Sequence, residues 1–426
     1  MLRFAFSPTG DMHINDLRIA LFNYLLSAQK TEELIVRIED AQREKNIEGK
    51  DQEILDILDL FAIKHSQVIY QSQNARFHAA MALQLLHEKK AFSCFCSSEW
   101  LEKKQAEAKA ANQSYHYDDA CRNLPAELVI DNTAPFTVRV ARPDKEILLN
   151  DKIKGLLRFD PDNVDSFVIL NQDKTATYNF ASAIDDMLSD ISTVIQSDDQ
   201  LQNTPKQIHV RNQLGYEKEI EYAHIPTLLN ASDNTLSVKT LLKEGYLPEA
   251  ISNYLISIGN STPCEIFTLN EAQEWFNLEK LSDSPAHFDI ERLKDINREH
   301  LKRMDAVELS RYVGFADAEI GKLARLYLDE VSTTRELKDK IAPVFESRNI
   351  PKAYEATVKR LSEIIKAAPY FEVYSEFKEY IIQKSDNIDE KEMNRSLYIL
   401  LTNREDGPDL KEIYKHLKNY IGEIIK

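Results

Sequence analysis

The residue types that could do chemistry gather in two stretches of this 426-residue chain. The first is Arg3-Phe-Ala-Phe-Ser7-Pro-Thr-Gly10-Asp-Met-His13-Ile-Asn15-Asp16. It reads as a strand, a Pro-Thr-Gly turn and the start of a helix whose apolar residues Leu17, Ala20, Leu21, Tyr24, Leu25 and Ala28 keep the spacing of a buried face. The free N–H groups and positive dipole end of such a helix favour a phosphate, and His13 stands beside them. Asn15 and Asp16 are of the types that cap a helix, although a carboxylate there also competes with phosphate for the same N–H groups. The second stretch holds three of the four cysteines, as Cys94-x-Cys96 and Cys121. In a cytoplasmic protein this clustering reads as a metal site rather than a disulfide, the alternative being thiols packed as small apolar groups. Cys264 stands alone.

The elements that must position these groups alternate at first. Residues 34–38 form an apolar strand ending at Glu39-Asp40, 51–61 a helix, 68–72 a strand and 75–88 a helix, which is the alternation of a parallel sheet. A Lys/Ala/Gln-rich helix over about 97–111 interrupts it, followed by a period-two strand at 136–142. The core pattern is expected to resume with 166–170, a helix from Tyr178, a strand at 193–195 and a helix opening at Thr204-Pro205. Beyond about residue 240 only helical periodicity continues, so the fold class is α/β followed by all-α. The net charge of −17, with the acid excess in the first 300 residues, argues against nonspecific nucleic-acid binding. No apolar stretch approaches the roughly 18 residues of a membrane span, and the chain opens on a strand, so a cytoplasmic protein is expected.

Arg3-Phe-Ala-x-Ser-Pro-Thr-Gly-x-x-His13-Ile closely resembles the opening of the bacterial glutamyl-tRNA synthetases, class I aminoacyl-tRNA synthetases. The resemblance continues through Arg37-Ile-Glu-Asp40, Tyr70-Gln-Ser72, Tyr178-Asn-Phe-Ala181, Asp185-Asp186, Asn203-Thr-Pro205 and Ala223-His-Ile-Pro226. It reaches Ser284-Pro-Ala-His-Phe-Asp289, Leu400-Leu-Thr402 and Gly407-Pro408, in order and over the whole chain. It implies a split Rossmann-type catalytic domain in residues 1–90 and 156–230, with an inserted acceptor-end-binding subdomain in 91–155. A helical connecting domain in 231–300 and a helical anticodon-binding-like domain in 301–426 would follow. The implied reaction is ATP-dependent attachment of glutamate to tRNA, with ATP and Mg2+ as cofactors. The implied partners are glutamate and tRNA-Glu or tRNA-Gln, engaged by a monomer with no membrane association.

Carried over residue by residue, the resemblance places Arg3, Ser7, Glu39, Tyr178 and Gln196 at glutamate-contacting positions and His13, Asn15 and Asp16 at nucleotide-binding ones. His13 and Lys239 stand at the catalytic signatures. Family members with a Cys-x-Cys … Tyr-x3-Cys spacing hold structural zinc, which implies Cys94, Cys96, Tyr117 and Cys121 as ligands; the histidine others use is Asn123 here. Three departures fall on the chemistry. A signature glycine is Asn15, and an arginine is Gln196, which lacks the guanidinium's charge and fork. The loop resembling Lys-Met-Ser-Lys-Arg should fall between Leu229 and Gly245, where Lys239 in Thr235-Leu-Ser-Val-Lys239 is the nearest remnant. The scaffold stretches are retained, so the expectation is a paralogue with impaired or lost amino-acid activation that still binds tRNA. A working divergent ligase and a protein-interaction scaffold are the alternatives. For Arg3 and Glu39 the competing structural expectation is an internal ion pair at strand ends.

Overall fold

The computed structural model describes residues 1–113, 115–229, 236–385 and 388–425. They divide into two compact units, residues 1–239 with 255–288 and residues 240–254 with 289–426.

The first unit runs β1 (Leu2–Phe6), α1 (Ile14–Lys30), β2 (Leu34–Ile38), α2 (Lys50–Leu60), β3 (Gln67–Tyr70), α3 (Ala75–His87), β4 (Ala91–Cys94) and α4 (Ser98–Ala110). It continues with α5 (Ala126–Ile130), β5 (Thr137–Val140), β6 (Ile147–Asp151), β7 (Gly155–Phe159), α6 (Pro161–Val164), β8 (Val168–Leu170) and α7 (Tyr178–Leu188). Then come β9 (Thr193–Ser197), α8 (Thr204–Gln213) and β10 (Glu221–Ile225). The division between units falls inside α9 (Val238–Lys243) and α10 (Pro248–Ser257), and α11 (Leu269–Trp275) belongs to the first.

The main sheet has the order β3-β2-β1-β9-β10-β6-β7, parallel except for the β6–β7 edge hairpin. β2 is buried along its whole length, as a strand covered on both faces should be. From β1 the chain winds outward to β2 and β3, whereas from β9 it winds the other way to β10. The order therefore reverses between β1 and β9, and in such sheets a crevice opens beyond the carboxyl ends of the strands at that point. Helix α1 packs across both strands, burying Leu17, Ala20, Leu21, Phe22 and Leu25. Ala28, assigned to this buried face by its spacing, is exposed at the last turn, where Thr31 ends the helix at φ 54°.

The 166–170 segment departs from its expected place. β8 pairs antiparallel with β5 in a separate sheet of order β4-β5-β8, and β6 is the strand that joins β10 in the main sheet. A buried Val-Ile-Leu run reads alike in either setting, because periodicity encodes burial and not the pairing partner. Val138, Val140 and Ile169 pack there against Phe180 and Ile184 of α7.

The second unit is helical: α12 (Ile290–Arg303), α13 (Ala306–Tyr312), α14 (Ala318–Arg325), α15 (Thr334–Ile341), α16 (Glu355–Lys366), α17 (Tyr374–Lys384), α18 (Glu390–Thr402), α19 (Leu410–Leu417) and α20 (Ile421–Ile424). Asp289, Asp305, Asp317, Thr333, Asp389 and Asp409 cap helices here with side-chain oxygens that accept from first-turn N–H groups. Gly321 lets α14 meet α13, since a Cβ at this position would lie 1.6 Å from the Ala306 carbonyl oxygen. Among the described residues no named strand follows β10, and no helix is long and apolar enough to cross a membrane.

Candidate active site

A cavity of about 610 Å³ occupies the crevice at the sheet reversal. It is lined by residues from the ends of β1 and β9 and from the N-termini of α1 and α7. Arg3, Ser7, His13, Asn15, Asp16, Glu39, Tyr178 and Gln196 all face it. Lys239 is not in the lining: it is exposed, with its Nζ 2.9 Å from Glu53 Oε2. The first part of the segment expected to carry the lysine loop, Asn230 to Thr235, lies outside the described residues.

At the start of α1, His13 is the N-cap. Its Nδ1 accepts from the Asn15 backbone N–H at 3.2 Å, while Asp16 Oδ2 accepts from the His13 N–H at 3.0 Å. This is a capping box made with unusual residue types. Burial, with repulsion from Asp199, pushes the Asp16 carboxyl up to about 6 against the lowering effect of the His13 N–H. Asn15 does not cap with its side chain; its Oδ1 accepts from Leu228 N–H at 3.1 Å and ties α1 to the segment after β10. The local pattern could not reveal that partner, which is more than 200 residues away.

The floor beneath β1 and β2 is a charged cluster. Asp186 of α7 takes Arg3 Nε at 3.2 Å and Arg37 Nη1 at 2.5 Å on the same oxygen, and Arg37 Nη2 reaches Glu39 Oε1 at 3.1 Å. Arg3 and Glu39 are therefore not paired with each other: each has its own counter-charge. Asp186 is fully buried, which alone would raise its pKa, yet the two guanidinium groups hold it down at about 2. The adjacent Asp185 accepts from Gln71, Asn74 and His78 within 2.9 Å, and Asp40 accepts from Ser72 N–H and Oγ–H. These bonds fasten the ends of β2 and β3 to α7.

Under β9 and β10 the arrangement differs. Gln196 and His224 are register partners on neighbouring strands, so their side chains share one face. Gln196 Nε2 lies 2.8 Å from Thr204 Oγ1 and 2.9 Å from His224 Nε2, and His224 Nδ1 lies 2.6 Å from Asp151 Oδ2. Sequence reasoning missed Arg37 and Asp186 as charge partners, and Asp151, Thr204 and His224 as site residues. All but Asp151 stand in motifs that could have flagged them; Asp151 carried no signal.

The cysteine stretch folds into a compact donor set. The Sγ atoms of Cys94, Cys96 and Cys121 lie within 4.8 Å of one another, Cys96 and Cys121 being 3.6 Å apart. Tyr117 Oη lies 3.4 Å from the sulfurs of both Cys94 and Cys96. A tetrahedral zinc with metal–sulfur bonds of about 2.3 Å spaces sulfurs about 3.8 Å apart and a phenolate oxygen about 3.5 Å from sulfur, so the four donors fit. Burial pushes Cys96 up to about 12, whereas Cys94, although buried, is drawn down to about 7 by Tyr117 and the Arg139 guanidinium. Arg139 Nε donates to Cys94 Sγ at 3.4 Å while its guanidinium lies 3.9 Å from the Tyr117 ring centroid.

A doubly wound sheet with a polar crevice at its reversal and a helix N-terminus facing it is the platform of a nucleotide-binding α/β protein. Residues 1–295 match the family model for the catalytic domain of class I tRNA synthetases (E and Q). The chain is 59 % identical to glutamate–tRNA ligase 2 of Sulfurimonas denitrificans and 45 % identical to glutamate–tRNA ligase 1 of Campylobacter jejuni, over the full length of both chains in each case. It superimposes on the crystal structure of a glutamate tRNA ligase from Elizabethkingia meningosepticum with a TM-score of 0.82 at 23 % identity, covering 100 % of this chain and 98 % of that one. The chain belongs to the glutamate–tRNA ligase family of class I aminoacyl-tRNA synthetases.

Proposed function

We propose that this protein attaches glutamate to tRNA with ATP, as a working member of its family. The observation that best supports this is the engagement of Asn15 and Asp16. Both side chains are tied to protein N–H groups, and an open cavity of about 610 Å³ remains beside the α1 N-terminus, within the range of small-molecule sites. In this reading Arg3, Ser7, Glu39, Tyr178 and Gln196 hold glutamate, and His13 with the α1 N-terminus holds the nucleotide phosphates. Mg2+-bound ATP would supply the adenylyl group that activates the substrate carboxylate, with pyrophosphate as the leaving group. The protein's part is to orient the reactants and to offset developing charge. Residues 91–155 and 301–426 receive the acceptor end and anticodon region of tRNA-Glu or tRNA-Gln, and the protein acts as a monomer in the cytoplasm. Cys94, Cys96, Tyr117 and Cys121 hold a structural zinc, which metal analysis of the purified protein tests: about one zinc per chain is expected, and its loss in Cys96→Ser.

The second reading, a tRNA-binding paralogue that has lost activation, is favoured by two observations. Gln196 is uncharged where the family resemblance implies an arginine, and Lys239 lies on Glu53 outside the cavity lining. Charging of tRNA-Glu and tRNA-Gln with labelled glutamate separates the two. Formation of glutamyl-tRNA on either is the expected result. No product on either, with tRNA bound at low salt and released as salt rises, would replace the first reading with the second. No tRNA binding at all would leave the interaction scaffold.

A further inference from the structure

Three adjacent strands carry a line of hydrogen bonds that ends at the cavity. It begins at Asp151, the last residue of β6, which is buried and whose carboxylate is filled by N–H donors. Oδ1 accepts from Ile153 and Lys154 N–H, both at 2.9 Å, and Oδ2 accepts from His224 N–H at 3.1 Å and from the ring at 2.6 Å. The carboxyl is buried, which works against ionisation, but these donors hold it below the usual range, so it has no proton to give. His224 Nδ1 therefore carries a hydrogen directed at the carboxylate, and its Nε2 lies 2.8 Å from Thr204 Oγ1.

Gln196 turns its NH2 group to this pair, Nε2 donating to Thr204 Oγ1 at 2.8 Å and lying 2.9 Å from His224 Nε2. The amide nitrogen is thus committed to the interior. The amide oxygen points the other way: it takes no hydrogen bond from the protein, it is not among the buried polar atoms that lack one, and Gln196 lines the cavity.

We infer that Gln196 reads an N–H donor of the bound amino acid, its carbonyl oxygen accepting from the substrate's α-ammonium group. Thr204, His224 and Asp151 are positioning residues that hold the amide in that orientation. This rests on the amino-acid-binding role of the cavity proposed above, and it reverses the polarity that a guanidinium at this position would have. The surroundings suit a cation: Asp16, Glu39 and Asp199 line the same cavity, and the Arg3 guanidinium there already answers the buried Asp186. A carboxylate brought to Gln196 would instead meet a carbonyl oxygen.

The test is Gln196→Met, which keeps length and bulk and removes the acceptor, with Gln196→Asn as a second variant that withdraws the oxygen by one methylene. Binding is read by calorimetry for glutamate, for glutarate, which has no ammonium group, and for ATP. In the native protein glutarate should bind at least tenfold more weakly than glutamate. In both variants glutamate should weaken about tenfold or more, glutarate by less than threefold, and ATP not at all, with thermal midpoints near the native value. Equal weakening of glutamate and glutarate would overturn the inference, as would weakening of ATP alone, which would transfer the contact to a ribose hydroxyl. Because binding is measured without tRNA, a protein that binds glutamate in this Gln196-dependent way but forms no glutamyl-tRNA would sink the ligase reading and leave this one standing. Thr204→Ser, which keeps the hydroxyl, should retain glutamate affinity within about threefold. Thr204→Val should lose part of it, again without affecting ATP; an unchanged affinity in Thr204→Val removes Thr204 from the positioning set.

Discussion

The two walls of the crevice bury polar groups by different means. Under β1, β2 and α7, carboxylates face guanidinium groups: Asp186 with Arg3 and Arg37, and Glu39 with Arg37. Under β9, β10 and β6, a buried carboxylate is balanced by N–H dipoles, and the group it finally presents to the cavity is an uncharged amide. Ion pairs in a low-dielectric interior are strongly interdependent, since removing one partner strands the other. A carboxylate held by several N–H groups shares its cost among many bonds, each modest. The charged wall should therefore be the brittle one and the neutral wall the tunable one.

The sharpest way to break this comparison is to remove one carboxylate from each wall. Asp186→Ala leaves Arg3 buried without its counter-charge and Arg37 with Glu39 alone, and should cost about 3–5 kcal/mol by urea unfolding. Asp151→Asn keeps an acceptor for His224 and loses part of the N–H set, and should cost about 1–3 kcal/mol. Equal costs would mean that the distinction between counter-charge and dipole has no energetic content here.

A smaller effect is expected at Asp16, between the walls, and its sign follows from titration. Its carboxyl is raised from 3.8 to about 6 in the folded protein, chiefly by burial. The protonated form is then the one that folding favours. Below about pH 4 the group is neutral in both states and costs nothing. Between 4 and 6 the unfolded chain ionises first, so stability falls as pH rises through the folded value. Asp16→Asn keeps an acceptor for the His13 N–H and has no charge to bury. It should match the native protein below pH 4 and exceed it by roughly 2 kcal/mol above pH 6. A native protein that gains stability over that window relative to the variant would contradict the burial argument.

The sequence disclosed the charged wall better than the neutral one, for a physical reason. Arg3, Glu39 and Tyr178 sit in short stretches whose residue types announce a role, and the β/α periodicity located β2 and α2 to within a residue. The pairing of Arg3 with Asp186, 183 positions away, is set by tertiary packing and has no local signature. The neutral wall was harder still. Gln196 was read from a single position, which carries nothing of its hydrogen-bonding distances to Thr204 and His224 on other elements. The same limit misplaced 166–170: apolar runs report burial, while the choice between two sheets is made by partners elsewhere in the chain. Caps lie within three residues of what they satisfy, and Asp16 was accordingly legible.

The smallest effect is expected at Lys239, and its smallness is the informative part. The Lys239–Glu53 pair is 2.9 Å long, but the lysine side chain is 59 % exposed, so solvent screens the attraction and ordering two long side chains offsets it. Lys239→Ala should change stability by less than about 0.5 kcal/mol. Since Lys239 is absent from the cavity lining, the variant should also keep kcat for glutamyl-tRNA formation within about twofold of native. Glu53→Gln gives the complementary measurement, because it releases the lysine without deleting it. If Lys239 took over the charge-stabilising task of the family's lysine loop, Lys239→Ala would lower kcat tenfold or more at an unchanged thermal midpoint, and Glu53→Gln would raise it. That outcome would extend the catalytic surface beyond the two walls and move its leaving-group end to α9. Unchanged kcat in both variants would confine the chemistry to the crevice, which His13 and the positive end of α1 line.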